Sequence, residues 1–164
     1  MKRLSRLSTA LLPRSAILFT SLAACSSAPP SFVQSAEAQD VLVVYRGFPR
    51  DTSEAPARDE PTMMIGDQKF YTGQHRATGG DARALAKALA DSSVYTSHVS
   101  GNKCGGFHAD YAVEWPGDQG PLRVLLCFGC NEARAIEGND VAVTDLTDDG
   151  ESRLEPLLTK VTGP

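Results

Sequence analysis

The sequence lacks an excess of positive charge, and it lacks the motifs of the common enzyme classes. It has 16 Lys and Arg residues against 20 Asp and Glu residues, and the basic residues do not cluster. Because nucleic-acid binding needs clustered Lys and Arg side chains at the phosphates, we expect no nucleic-acid partner. No Gly-rich phosphate loop follows a predicted strand, and no G-x-S-x-G or H-E-x-x-H motif is present. The sequence therefore indicates no enzyme class.

The N-terminal region lacks an apolar run long enough to span a bilayer as a mature helix. Its apolar stretch covers only residues 15–24, and it follows four basic residues and no acidic one. This order is typical of an export signal, which is removed and takes no part in the fold. Its removal leaves 12 basic residues against 20 acidic ones, so we expect a mature net charge of −8.

The apolar run ends in the tetrapeptide LAAC, residues 22–25, which resembles the lipobox of bacterial lipoproteins. In that family the cysteine thiolate takes a diacylglyceryl group, the signal is cleaved just before it, and the new amino group is acylated. The resemblance implies a signal peptide in residues 1–24 and lipidation of Cys25 with fatty acids such as palmitate. Several buried acyl chains, at about 0.8 kcal/mol per CH₂, would hold the protein at a membrane of the bacterial cell envelope.

The residues around the lipobox refine this expectation. Cys25 is followed by Ser26 rather than Asp, and in the lipoprotein family this favours the outer membrane, facing the periplasm. The alternative is an ordinary cleaved signal, with an A-x-A-like site at residues 22–24 or 35–38. The polar residues that follow predict a flexible tether over residues 25–39 and a single domain over residues 40–164.

The reactive side chains converge in residues 104–130, which predict a β-hairpin. Apolar residues occupy odd positions from 109 to 115 and even positions from 122 to 128, a period of two that indicates two strands with one buried face each. The Pro- and Gly-rich residues 116–121 predict the turn. Because directly opposed residues share a face, we expect three opposed pairs, which are Tyr111 with Val124, His108 with Cys127, and Arg123 with Ala112.

The remaining patterns predict an α+β fold, mainly antiparallel, with about two helices packed on one face of the sheet. Further strands are predicted at residues 41–45, 63–71 with a turn at 66–67, 94–99, 133–136 and 141–143. Residues 49–62 predict an exposed loop. Asp81 is the predicted N-cap of a helix to about residue 91, and Asp148 or Asp149 that of a final helix. Pro156 is compatible only with the first turns of that final helix.

The predicted hairpin brings four potential ligands together: Cys104, His108, Cys127 and Cys130. These are the residue types that bind tetrahedral zinc, so one hypothesis is a zinc site. Export to an oxidising compartment favours a disulfide instead, and three cysteines beyond Cys25 would leave one thiol over. A third hypothesis is that the thiols stay buried and unpaired.

A redox function is a further hypothesis, because residues 127–130 form a C-x-x-C motif. In thioredoxin-like proteins that motif opens a helix, whereas residues 131–137 leave little room for one. The stretch is also similar to a pattern in uncharacterised bacterial proteins, often exported, with Cys, an aromatic and His before one strand and C-F-x-C after the next. That resemblance implies no activity. His75 and His98 are isolated in the sequence, so we interpret them as surface or hydrogen-bonding residues.

Two classes of function follow from these patterns. The first is a non-enzymatic envelope lipoprotein that is held at the membrane and binds an envelope protein partner. The second is a periplasmic metal-binding or thiol-active protein that uses Cys104, His108, Cys127 and Cys130. The two classes differ in whether purified protein carries zinc and in how many of its thiols are free.

Overall fold

The computed structural model describes residues 33–50, 60–99, 105–117 and 120–163. They form a seven-stranded sheet, a separate two-stranded sheet and two α-helices. Every neighbouring pair of strands is antiparallel. The predicted α+β fold with a mainly antiparallel sheet and about two helices is therefore confirmed.

The elements follow one another as short strands with one helix in the middle and one at the end. The strands are β1 (Val41–Arg46), β2 (Thr62–Ile65), β3 (Gln68–Tyr71), β4 (His75–Thr78), β5 (Tyr95–Thr96), β6 (Tyr111–Gly117), β7 (Gly120–Cys127), β8 (Glu132–Glu137) and β9 (Asp140–Leu146). The helices are α1 (Gly79–Ala90) and α2 (Asp148–Thr162), with 3₁₀ helices at Val33–Ala38 and Ser92–Val94. The large sheet has the order β4-β1-β6-β7-β8-β9-β5, so the β6–β7 hairpin lies at its centre.

One face of the large sheet packs against both α-helices and forms the main core. The prediction of which side chains of the hairpin are buried in this core is correct, because the odd positions of β6 and the even positions of β7 point to these helices. The main core includes Val113, Trp115, Leu122, Val124 and Leu126 from the sheet, and Leu85, Leu89, Leu154 and Leu158 from the helices. Each of these side chains is at least 96% buried, so the hairpin carries the centre of the hydrophobic core.

The opposite face of the sheet is covered as well, by the β2–β3 hairpin. Phe70 of β3 packs with Tyr45, Ala112 and Leu125 in a second, smaller core. We expected the odd positions of β7 to be the wetter face, but Leu125 is fully buried. Because β7 is apolar nearly throughout, its sequence is typical of a strand that is buried on both faces.

The predicted register of the central hairpin is wrong by two residues. Tyr111 lies opposite Leu126 rather than Val124, and Arg123 lies opposite Glu114 rather than Ala112. The ladder extends to Gly117 and Gly120, so residues 118–119 make the connection instead of the six-residue turn that we expected. A shift of two residues preserves the face of every side chain, which is why the core prediction holds. The observed register also pairs opposite charges, since Arg123 Nε lies 2.7 Å from Glu114 Oε2.

The folded domain begins earlier than predicted. Residues 33–38, expected to belong to the tether, form a 3₁₀ helix in which Val33 and Ala36 are buried against the main core. Ser35 Oγ accepts a hydrogen bond of 2.9 Å from the Trp115 indole N–H, which connects this segment to β6. The tether prediction for residues 25–39 is therefore wrong from Val33 onward, because two apolar side chains are buried there.

The helices have the expected positions but not the expected caps. Thr78 is the N-cap of α1, without a side-chain cap hydrogen bond, and Asp81 lies in its first turn. Thr147 is the N-cap of α2, where its hydroxyl accepts a hydrogen bond from the backbone N–H of Gly150. Pro156 lies well inside α2 rather than in its first turns. None of the described helices is both long enough and apolar enough to cross a membrane.

The other strand predictions hold, with one exception. The predicted strand over residues 63–71 is the β2–β3 hairpin, with its turn at residues 66–67, and the two short strands before α2 are β8 and β9. The predicted strand over residues 94–99 is reduced to β5, because residues 92–94 form a 3₁₀ helix. Of the predicted loop, residues 51–59 lie outside the described part of the chain.

Gly47 gives a first test of this packing, because no side chain fits at its position. A Cβ there would lie 1.9 Å from the Ala109 carbonyl oxygen, which is backbone that cannot move aside cheaply. We expect Gly47→Ala to lower the free energy of unfolding by about 3 kcal/mol, the upper end of the usual cost of overpacking. Urea unfolding measures this value. The matched control is Gly73→Ala, where the added Cβ meets no atom within 4 Å; equal effects of the two substitutions would contradict the packing described here.

Candidate functional site

The candidate site lies where the open end of the β6–β7 hairpin meets the end of β1. Three segments form it: residues 46–50 at the end of β1, the loop of residues 105–110 before β6, and the turn after β7. Between them are two neighbouring clefts of about 420 and 320 Å³, and both are lined by Arg50, His108 and Asp110. Cys127 and Cys130 line the smaller cleft together with His108, so three of the four residues singled out in the sequence border one cleft, and Cys104 lies outside the described residues.

Asp110 connects the three segments. Its backbone N–H donates to the Leu126 carbonyl at 2.7 Å, and its own carbonyl accepts from the Gly47 N–H at 2.7 Å. Its side-chain Oδ2 accepts a hydrogen bond of 2.7 Å from the backbone N–H of Phe128. Hydrogen bonds to a charged group contribute roughly 1.5–3 kcal/mol, so the carboxylate stabilises the turn that carries the last two cysteines.

Cys127 is a free thiol and is 97% buried. Burial raises the pKa of its thiol, and the nearby Asp110 carboxylate acts in the same direction. Hydrogen bonds from the backbone N–H groups of His108 and Cys130, together with the more distant Arg50 guanidinium, oppose the rise. Since the thiolate is the nucleophile and the metal ligand, this thiol is protonated and unreactive at neutral pH.

Cys130 is disulfide-bonded. Its Sγ lies 3.4 Å from the carbonyl oxygen of Gly106, in the loop before β6. The same carbonyl accepts a hydrogen bond from the Arg50 guanidinium. Cys127 is free, and the other two cysteines of the sequence, Cys25 and Cys104, lie outside the described residues.

His108 is close to Cys127, but not in the way that we expected. The pairing of His108 opposite Cys127 is wrong, because the register shift places residue 108 beyond the paired residues of the ladder. The contact is made by the His108 backbone N–H, while the residue also lines both clefts. Within the described residues, no group of three or more His, Cys, Asp or Glu side chains could hold a metal ion.

These contacts hold the loop before β6 and the turn after β7 in place. A disulfide-bonded sulfur is not available as a thiolate ligand, so a zinc site with all four predicted ligands would require reduced Cys130. The loop before β6 is held at Gly106 by Arg50, and at Ala109 by a hydrogen bond of 3.2 Å from its backbone N–H to Gln68 Oε1. The arrangement therefore fixes a loop to the sheet and leaves one protonated thiol in the lining of the smaller cleft.

A pair of residues that the sequence did not reveal lies at the β9–β5 edge of the sheet, level with Cys127 across β8. His98 Nδ1 lies 2.9 Å from Oδ1 of Asp145, whose side chain is 3% exposed. The second oxygen of Asp145 accepts a hydrogen bond of 3.1 Å from the Val99 backbone N–H. His98 and Val99 precede Asp145 by 47 and 46 positions, so no local pattern in the sequence predicts these contacts. The pair fixes the chain after β5 to β9, which agrees with a hydrogen-bonding role for His98.

Comparisons with protein-family models, with curated proteins and with solved structures find no match to this chain. The resemblance of residues 22–25 to a lipobox and that of the hairpin pattern therefore stay predictions. Both Cys25 and Cys104 lie outside the described residues. The function is accordingly proposed from the sequence motifs and from the contacts described above.

The raised pKa of Cys127 predicts slow alkylation at neutral pH. A thiol whose pKa is raised by folding carries little thiolate below its normal titration range, and the fraction rises as pH increases through the folded-state value. We expect iodoacetamide to label Cys127 at least about tenfold faster in urea than in buffer at pH 8. Labelling in buffer should accelerate above pH 9. Native labelling as fast as in urea would contradict the burial of this thiol.

The bonding state of Cys130 predicts a defined set of cross-linked peptides. Gly106, whose carbonyl contacts the Cys130 sulfur, is two residues from Cys104, so we expect the disulfide to join Cys104 to Cys130. Proteolysis without reduction, followed by mass spectrometry, should find this pair linked and Cys127 free. Cys104→Ser is the matched variant and should leave Cys130 reactive. A bridge between Cys127 and Cys130 would contradict the structure.

Proposed function

We propose that this chain is a bacterial envelope lipoprotein, anchored through Cys25 and without enzymatic activity, that binds an envelope protein partner. The observation that carries the proposal is the tetrapeptide LAAC at residues 22–25, directly after an apolar run with a basic start. A thiol at that position, preceded by two small residues, is what the lipid-transfer chemistry of the lipoprotein family requires. The lipobox resemblance favours the outer membrane, with the domain facing the periplasm.

The disulfide at Cys130 supports an exported protein. Disulfides persist in oxidising compartments such as the periplasm and are rare where thioredoxin and glutathione keep thiols reduced. Cys130 is bonded, and Cys127 is a buried thiol with a raised pKa. Among the described residues, the free thiol of Cys127 is buried and protonated. Such a domain is suited to a compartment in which exposed thiols are oxidised.

The early start of the folded domain shortens the tether. With Val33 already in the core, residues 26–32 are left between the lipidated cysteine and the domain. Fully extended, seven residues span at most about 25 Å, so the domain would stay close to the membrane surface. The hydrogen bond between Ser35 and Trp115 places the start of the domain near the closed end of the β6–β7 hairpin. The candidate site at its open end, roughly 20 Å away along β6, would then face away from the tether.

A binding role fits the chemistry of that site better than a catalytic one. The Cys127 thiol is protonated at neutral pH, and the Asp110 carboxylate accepts a hydrogen bond from the backbone of the turn after β7. General acid–base or nucleophilic catalysis needs an available base or an activated nucleophile; among the described residues of the candidate site, only His108, which lines both clefts, is of the type most often used as a general base. The larger cleft is instead lined by Arg46 and Arg50, which suit contacts with acidic groups of a partner.

The second candidate is a periplasmic metal-binding or thiol-active protein. The observation that favours it is that Cys127, Cys130 and His108 border the same cleft, with Cys104 two residues before Gly106. A zinc-bound form would hold these four side chains with Cys130 reduced, and zinc would act there as a structural ion. Stoichiometric zinc in protein purified without chelator, together with three free thiols, would favour this candidate over the first.

The anchor predicts how the protein partitions. We expect the parent chain to enter the detergent phase of a Triton X-114 separation almost completely, because several acyl chains are buried there. The variant Cys25→Ser should remain in the aqueous phase or accumulate with residues 1–24 uncleaved. Metabolic labelling with palmitate should mark the parent and not the variant.

The matched control is Ser31→Ala, which changes the tether but not the lipobox and should behave as the parent does. Equal partitioning of the parent chain and Cys25→Ser would overturn the lipoprotein proposal. It would favour the alternative of an ordinary cleaved signal.

A further inference from the structure

A further cavity lies at the other end of the β6–β7 hairpin from the candidate site. It has a volume of about 700 Å³, within the roughly 300–1,000 Å³ of most small-molecule sites. Its walls come from the start of β1, from β4 and from the closed end of the hairpin. The segment after the first 3₁₀ helix forms one wall, through residues 38–40. No residue that lines the two clefts of the candidate site also lines this cavity, so it is a separate site.

The body of the cavity is apolar. Val41 and Val43 of β1 lie on one side, and Pro116, Pro121 and Trp115 come from the hairpin. Trp115 itself is 1% exposed and is fixed by its hydrogen bond to Ser35. Rigid rings and branched side chains form a preorganised surface, because they lose little conformational entropy when a ligand binds. Such a surface suits an apolar ligand group.

Two opposite charges line the same cavity without forming an ion pair with each other. Arg76 lies beside Val43 in the β1–β4 ladder, and Asp40 precedes β1. Neither makes a salt bridge with any other residue in the described part of the chain. The third charged residue of the lining, Glu114, is already bound by Arg123 at 2.7 Å. One cation and one anion are therefore available to a ligand.

We propose that this cavity binds a small zwitterion with an apolar body, namely an apolar amino acid or a short apolar peptide with free ends. The ligand carboxylate would pair with the Arg76 guanidinium, which matches carboxylates in two-point geometry. The ligand ammonium group would pair with the Asp40 carboxylate, and the apolar side chains would pack against Val41, Val43 and the two prolines. This site is independent of the lipid anchor and goes beyond the function proposed above.

Trp115 is the only Trp of the chain, so Trp fluorescence has a single source, and that residue belongs to the lining of this cavity. The experiment uses the chain without residues 1–25, since both hydrophobic cores consist of residues from Val33 onward. A cooperative urea transition establishes that this chain is folded. The probes are leucine, the dipeptide Leu-Leu, its N-acetylated form and its C-terminal amide. We expect saturable changes with leucine or with Leu-Leu, and at least about tenfold weaker binding of the two blocked dipeptides.

Two variants separate the roles of the charges. Arg76→Gln should remove the preference for Leu-Leu over its amide, and Asp40→Asn should remove the preference over the acetylated form. Both side chains are exposed, so neither substitution disturbs the core. The matched control Arg83→Gln, an exposed residue of α1 outside the cavity, should bind as the parent does.

The outcomes are distinct. Binding of leucine alone identifies a free amino acid as the ligand, and binding of Leu-Leu alone identifies a peptide. In either case, weaker binding by Arg76→Gln and by Asp40→Asn than by Arg83→Gln supports the charge assignment. A Trp115 signal that does not saturate with any probe would overturn the proposal. Equal affinity for free and blocked dipeptides, or an equal loss in Arg83→Gln and Arg76→Gln, would overturn it as well.

Discussion

The pairing of β6 with β7 determines where the other elements of the domain pack. Its register aligns Val113 with Val124 on one face and Ala112 with Leu125 on the other, so each face carries an apolar surface. The first face binds the two α-helices and the second binds the β2–β3 hairpin. At roughly 25 cal/mol per Å² of buried apolar surface, burial on both faces makes this hairpin contribute to both hydrophobic cores.

The two ends of the same hairpin have different chemistry. At the open end, Asp110, Cys127 and Cys130 are engaged in backbone hydrogen bonds, burial or a disulfide, which favours a structural role. At the closed end, an apolar cavity retains one cation and one anion that do not pair with each other. In our proposals, the open end is therefore a structural region and the closed end a binding site.

The N-terminal segment links the proposed anchor to this arrangement. Val33 and Ala36 pack into the main core, and Ser35 binds the indole of Trp115. The chain that would lead to the lipid thus contacts the same tryptophan that lines the cavity at the closed end of the hairpin. Under the lipoprotein proposal, the short tether would hold that cavity near the membrane surface. The candidate site would then lie on the far side of the domain.

Local patterns in the sequence were sufficient for the class of fold, for most strands and for the face that each side chain of the central hairpin occupies. Alternation of apolar and polar residues depends only on the pleat of a strand, so it survives a register error of two residues. The predicted export signal and the resemblance to a lipobox likewise rest on contiguous patterns, and they carry the functional proposal.

The tertiary structure decided what depends on contacts between distant parts of the chain. It paired Glu114 with Arg123, buried Leu125 under a hairpin some 55 residues earlier, and placed His98 on Asp145. It also made Cys130 a bonded sulfur and left Cys127 free, a choice that three cysteines in a short stretch leave open. Which residues contact each other in these cases depends on the packing of the whole domain around its two cores. A local pattern in the sequence holds no information about that packing.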